Sequence, residues 1–278
     1  SAMCYLCTSQ SPHLALRRTF LLAAAGAAAT PVLAQVDVGK TSAMAKLVPA
    51  GTLEKSAAQQ YSQMMAEAKA QGALASPNNA QLQRLRAIAQ RLVPHTPQWN
   101  ERAPGWKWEV NLIGSKQINA FVMPGGKIVF YTGILDQLQL TDDEIAMVMG
   151  HEMAHALREH ARERLAKSQV TGMGLSLGAQ LLGLGDMGNL AANLGTELLT
   201  LQYSRSDESE ADLVGLEIAA RAGYDPKAAI TLWQKMAKAT GDKGGMAFLS
   251  SHPSGPNRIK ELEANLPKVE SLYRRSPR

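Results

Sequence analysis

Cysteine is almost absent from this chain: its two cysteines, Cys4 and Cys7, both stand at its very start. They fall in a segment expected to be removed on export, so the mature chain is left without a disulfide or a thiolate ligand. Their C-x-x-C spacing finds no second pair to complete a tetrahedral metal site. Charge of one sign is not in large excess either. The 29 Lys+Arg against 24 Asp+Glu leave +5, and Arg17, Arg18, Arg274, Arg275 and Arg278 supply much of that. This argues against a nucleic-acid footprint and leaves a solvated basic surface or peripheral contact with anionic lipid open. A convincing membrane span is missing as well. The uncharged stretch 170–185 is broken by Gly172, Gly174, Gly178, Gly183 and Gly185 and is too short and too weakly apolar to cross a bilayer. A mobile helical hairpin is the expectation there.

What is present is ordinary for one globular domain: 278 residues, 45% hydrophobic and 19% charged. Ser1-Ala2 ahead of Met3 reads as a tag scar. Arg17-Arg18, the alanine-rich apolar run Phe20 to Leu33 and the small residues up to Ala34 read as a secretory signal cut after Ala34. The arginine pair fits twin-arginine and Sec export equally. The expected division is therefore 1–34 scar and signal, and 35–278 a single domain with its core at about 78–265. Export of this kind places the protein in the periplasm of a Gram-negative bacterium.

Residues 40–75 predict an alanine-rich helical arm, and 78–93 an amphipathic helix with Leu82, Leu85, Ile88, Ala89 and Leu92 on one face. From Trp106 the period changes to two, through Trp108, Val110, Leu112, Ile118, Ala120 and Val122. Pro124-Gly125-Gly126 then leads into Ile128, Phe130 and a turn at Gly133, which predicts a small antiparallel sheet. Thr141 and Glu144 form a capping box that opens a helix to about Lys167. Ser204 to Ala222 predicts another helix, Asp225-Pro226 starts a third, and 241–256 reads as a loop before the terminal helices. The fold class is α+β, mostly helical.

Inside the capped helix lies His151-Glu152-Met153-Ala154-His155. Four residues make a little over one helical turn, so the two imidazoles project toward a common point suited to zinc. Ile145, Val148, Glu152 and His155 continue one apolar stripe, which buries polar groups that a cation would satisfy. A catalytic zinc takes three protein ligands and keeps a position open for water. His160 fails as the third: the longer metzincin motif needs histidine where Ala161 stands and glycine where Arg158 stands. On a continuous helix His160 points away from His151, so it reads as structural. The acidic run Asp207-Glu208-Ser209-Glu210-Ala211-Asp212 is the other source. Glu208 and Asp212 share a face, so one could bind metal while the other orients an imidazole. Spacing does not exclude Glu210, and some of these acids serve the helix N-terminus.

With these residues in hand the chain resembles the zinc metallopeptidases of the CAAX prenyl protease, HtpX and Oma-type group, which are gluzincins. The resemblance rests on Asn119-Ala120-Phe121 through Gly133, on the H-E-M-A-H core and on the E-x-x-x-D of Glu208 and Asp212, and it spans roughly 80–262. It implies a zincin-type domain binding one zinc, with Glu208 the third ligand beside His151 and His155, Asp212 its helical companion, and Glu152 the catalytic base. The strand Asn119, Ala120, Phe121 would bind an extended peptide. His252, in Ser251-His252-Pro253, and Arg258 would approach the metal. There the histidine either occupies the open position at rest or stabilises the oxyanion, with Arg258 helping. The activity implied is a zinc endopeptidase acting on unfolded or misassembled envelope proteins. The alternative is a latent protease that chiefly holds such clients.

Overall fold

The computed structural model describes residues 36–170, 201–242, 247–253 and 257–276; the expected hairpin at 170–185 and the leader lie almost wholly outside them. After a short 3-10 turn, Ala43–Leu47, come helices α1 (Ala50–Ala70) and α2 (Ala80–Leu92). Asn79 caps α2 by accepting from the Leu82 amide. The five apolar residues expected on its inner face are all buried, each contributing about 1.5–3 kcal/mol of transfer free energy for the larger side chains.

Strands β1 (Glu109–Ile113), β2 (Ala120–Met123) and β3 (Lys127–Tyr131) follow. Their order is β1-β3-β2. The expected antiparallel sheet is corrected to a mixed one: β2 and β3 pair antiparallel, but β1 runs parallel to β3. Alternation of side chains is the same in either sense, so period-two patterning could not reveal it. The chain reverses at Met123 to Gly126, with Pro124 and Gly125 at the centre of the turn and Gly125 at φ 85°. That is the chemistry of a Pro-Gly turn. β2 is left as an edge, paired on one side only among the described residues.

Helix α3 (Thr132–Leu138) occupies the position expected for a turn at Gly133, and it ends at Gln139 in a left-handed conformation. The next helix, α4 (Asp142–Leu157), opens with the capping box as expected: the Thr141 side chain accepts from the Glu144 amide, and Glu144 accepts from the Thr141 amide. Every residue from Glu144 to Leu157 is buried, as befits a helix enclosed on all sides. The expected single helix to Lys167 is two. Glu159 takes φ 60° and α5 (His160–Val170) starts afresh. Around α4 lie α6 (Arg205–Arg221), α7 (Ala228–Asp242), the short α8 (Ala247–Ser251), found where a loop was expected, and α9 (Arg258–Arg275).

The crossing of α4 and α6 sets the site. A Cβ on Gly215 would meet the His151 backbone nitrogen at 2.6 Å, and one on Gly150 would meet the Gly215 carbonyl at 2.8 Å. Only glycine lets the two backbones approach this closely, next to the first histidine of the motif.

Candidate metal centre

His151 and His155 project from α4 with their Nε2 atoms 3.1 Å apart. Glu208, in the first turn of α6, faces both: its Oε2 is 3.4 Å from His151 Nε2 and its Oε1 is 3.3 Å from His155 Nε2. His252, just past the end of α8, places Nδ1 2.9 Å from Glu208 Oε1. One ligand-type atom from each of these four buried residues lies within 4.8 Å of the other three. The acidic run divides by task. Asp207 closes a capping box with Ser204, Glu210 pairs with Arg158, and Asp212 accepts from His151 Nδ1 at 2.9 Å. Glu208 alone among them faces both histidines.

His252 stands outside the helix, as expected, but it is buried rather than off the core. Pro253 ends α8 behind it, and the Tyr203 amide donates to the Ser251 carbonyl at 3.2 Å, pinning the segment beside the start of α6. Arg258, the first residue of α9, donates to Asp212 and lies 2.9 Å from Glu208 Oε2. Its guanidinium stacks 3.5 Å over the Trp233 ring, which keeps the planar cation in place. Glu152 Oε1 is 3.5 Å from His252 Nε2.

Burial is the largest influence on each of these groups. It pushes the Glu152 carboxyl above its ordinary range, against the pull of His252 and His151. In Glu208 it is outweighed by hydrogen bonds from His151, His155 and His252, which hold the carboxyl far down as an anion. It would lower His151 too, but Asp212 and Glu208 prevail and raise that imidazole to about 9. His155, with less carboxylate around it, stays well below the usual histidine range, mainly through burial.

A cation fits this donor set. Glu152 Oε1 is buried and makes no hydrogen bond, and such an atom is costly to bury unless something satisfies it. Two imidazoles, a carboxylate and a third imidazole are borderline-soft nitrogen and oxygen ligands of the kind that bind zinc and its neighbours. The edge strand adjoins the same place. Asn119, Ala120, Phe121, Glu152, Tyr203 and His252 are among the residues lining a cavity of about 240 Å³.

Sequence reasoning missed two neighbours. His160 was expected to point away as a structural residue; instead the break at Glu159 swings its Nδ1 to 2.9 Å from His155 Nδ1. No glycine or proline marks that break, so no sequence signal pointed to it. Tyr203 stacks on the His155 ring at 3.8 Å between centroids. Its place just ahead of the capping Ser204 was the available hint.

Residues 79–266 match the model of peptidase family M48. The mitochondrial metalloendopeptidase OMA1 of Schizosaccharomyces pombe is 39% identical over 166 residues, covering 59% of this chain and 48% of that protein. The metalloprotease LoiP of Escherichia coli is 30% identical over 158 residues, 53% of this chain and 58% of its own. The beta-barrel assembly-enhancing protease of Yersinia pestis is 30% identical over 135 residues, 45% and 27% respectively. These matches span about half or less of the OMA1 relatives. The Oma-type resemblance is thus borne out, and with a family match over most of its length the chain belongs to peptidase family M48.

Proposed function

We propose that this chain is a zinc-dependent endopeptidase of the bacterial periplasm that cleaves unfolded or misassembled envelope proteins. The domain would run from about residue 35 to 278, behind an export signal. The observation that carries the reading is the convergence of His151, His155, Glu208 and His252 beside a buried Glu152 oxygen that makes no hydrogen bond. His151, His155 and Glu208 would hold one zinc ion, with Asp212 orienting His151. Zinc bound there supplies a positive charge that polarises a peptide carbonyl and brings the pKa of a water to about 7.

Glu152 takes the proton from water at Oε1 and passes it to the leaving amine. Burial raises its carboxyl pKa, the direction that suits a group that takes up and returns a proton. An extended peptide pairs with the open edge of β2 at Asn119, Ala120 and Phe121 and so runs along the cavity toward Glu152. Backbone pairing of this kind requires a substrate that is not compactly folded. His252 Nδ1 lies among the donor atoms, which favours its occupying the open metal position at rest over a purely oxyanion-stabilising role. Among the described residues no helix is long and apolar enough to cross a membrane.

The test is cleavage of unfolded casein by the zinc-loaded protein, with and without a chelator. Chelator-sensitive cleavage is expected. Binding of casein without cleavage would replace the reading with the client-holding alternative. In the same assay His252→Ala should raise the basal rate if His252 gates the site and lower it if the oxyanion role prevails.

A further inference from the structure

Among the described residues, His160 is the one buried histidine that the zinc reading leaves without a task. It is 1% exposed, and its Nδ1 sits at hydrogen-bond distance, 2.9 Å, from His155 Nδ1. A neutral imidazole carries a proton on one nitrogen and a lone pair on the other. For His155 to present Nε2 as a lone pair, its Nδ1 must carry the proton and donate to His160. His160 Nδ1 is then the acceptor, which puts the His160 proton on Nε2. That atom makes no hydrogen bond of good geometry but faces Glu210 Oε2 at 3.5 Å. Glu210 is gripped in turn by the Arg158 guanidinium, whose other arm donates to the Gly39 carbonyl at 2.9 Å. In this direction the His155 proton meets an acceptor in His160, and the His160 proton is turned toward the Glu210 carboxylate.

The other histidine of the motif has the same support with one link fewer. His151 Nδ1 donates to Asp212, and Asp212 is gripped by Arg258. We propose that His160 and Glu210 are positioning residues that fix the tautomer and ring orientation of His155, as Asp212 and Arg258 do for His151. The corner at Glu159 then has a purpose: it turns His160 back beneath His155, which a continuous helix could not do. The inference rests on His151, His155 and Glu208 being the zinc ligands.

The experiment measures zinc affinity by competition with a chromogenic chelator in the full chain and in His160→Ala, His160→Gln and Glu210→Gln. Melting of the metal-free proteins is followed in parallel. His160→Ala should weaken zinc binding by about 10–100-fold, the range found when outer partners of metal ligands are removed. Glu210→Gln should lose less. His160→Gln should recover part of the loss, because its amide oxygen can accept from His155. Unchanged affinity in His160→Ala overturns the proposal. So does a loss that follows the melting temperature and that His160→Gln does not restore, since that is the signature of packing alone. If the unaltered chain binds no zinc, the ligand reading fails and takes this inference with it. Normal binding with an indifferent His160 removes only the inference.

Discussion

His151 and His155 are the same residue type one turn apart on the same buried helix, yet their surroundings drive them in opposite directions. His151 sits at the glycine crossing of α4 and α6, between Asp212 and Glu208, and its imidazole is raised to about 9. His155 sits in the last turn of α4 beneath the ring of Tyr203, shares Glu208, has His160 at its Nδ1, and is pushed well down, chiefly by burial. Spacing on a helix makes two ligands converge; what packs behind each decides its charge. One side is a position backed by two carboxylates at a tight crossing, the other a position backed by one at a chain corner.

The comparison breaks most completely at the residue both sides share. Glu208→Gln should weaken zinc binding by more than about 100-fold, beyond the range of outer partners. Glu210→Gln, which touches only the His155 side, should cost far less. Zinc titration of the two variants decides it, and a larger loss at Glu210 would transfer the ligand role.

Gly215→Ala acts on the His151 side alone. Its methyl group would press on the His151 backbone nitrogen, which cannot yield as a flexible side chain would. A destabilisation of about 1–3 kcal/mol is expected from such overpacking, measured by urea unfolding, together with weaker zinc binding. A variant as stable as the parent would mean that the crossing is looser than described.

The smallest effect belongs to a reference position that touches neither histidine. Glu144, at the start of α4, accepts from Thr141, Thr231 and Lys235. Burial pushes its carboxyl up, but these partners outweigh burial and hold it below 4.5. A depressed folded pKa gives stability that is present above the unfolded value and lost as pH falls through the folded one. Glu144→Gln should therefore cost about 1–2 kcal/mol at neutral pH, with the gap to the parent closing as pH falls below 4.5. A gap that stays constant from pH 7 to pH 3 would assign the loss to shape rather than charge.

What could be read in advance follows the range of the interactions. The capping box at Thr141, the buried stripe of α2 and the convergence of His151 with His155 are set within a few residues, and all stand as expected. Glu208 needed the family resemblance, because Glu210 has equal claim until α6 is docked on α4. The parallel sense of β1 was invisible because strand patterning does not encode direction. The corner at Glu159 was invisible because a glutamate held at positive φ by its surroundings leaves no compositional mark. With the corner went the placement of His160, and the burial of His252 likewise depended on a tertiary contact, the Tyr203 to Ser251 hydrogen bond.

Glu152→Gln tests the central claim most directly, because it removes the base without touching a metal-facing donor. Its zinc content and its rate on unfolded casein should be measured on the same sample. One zinc ion per chain with hydrolysis lost is the result expected; undiminished hydrolysis at full zinc occupancy would contradict it.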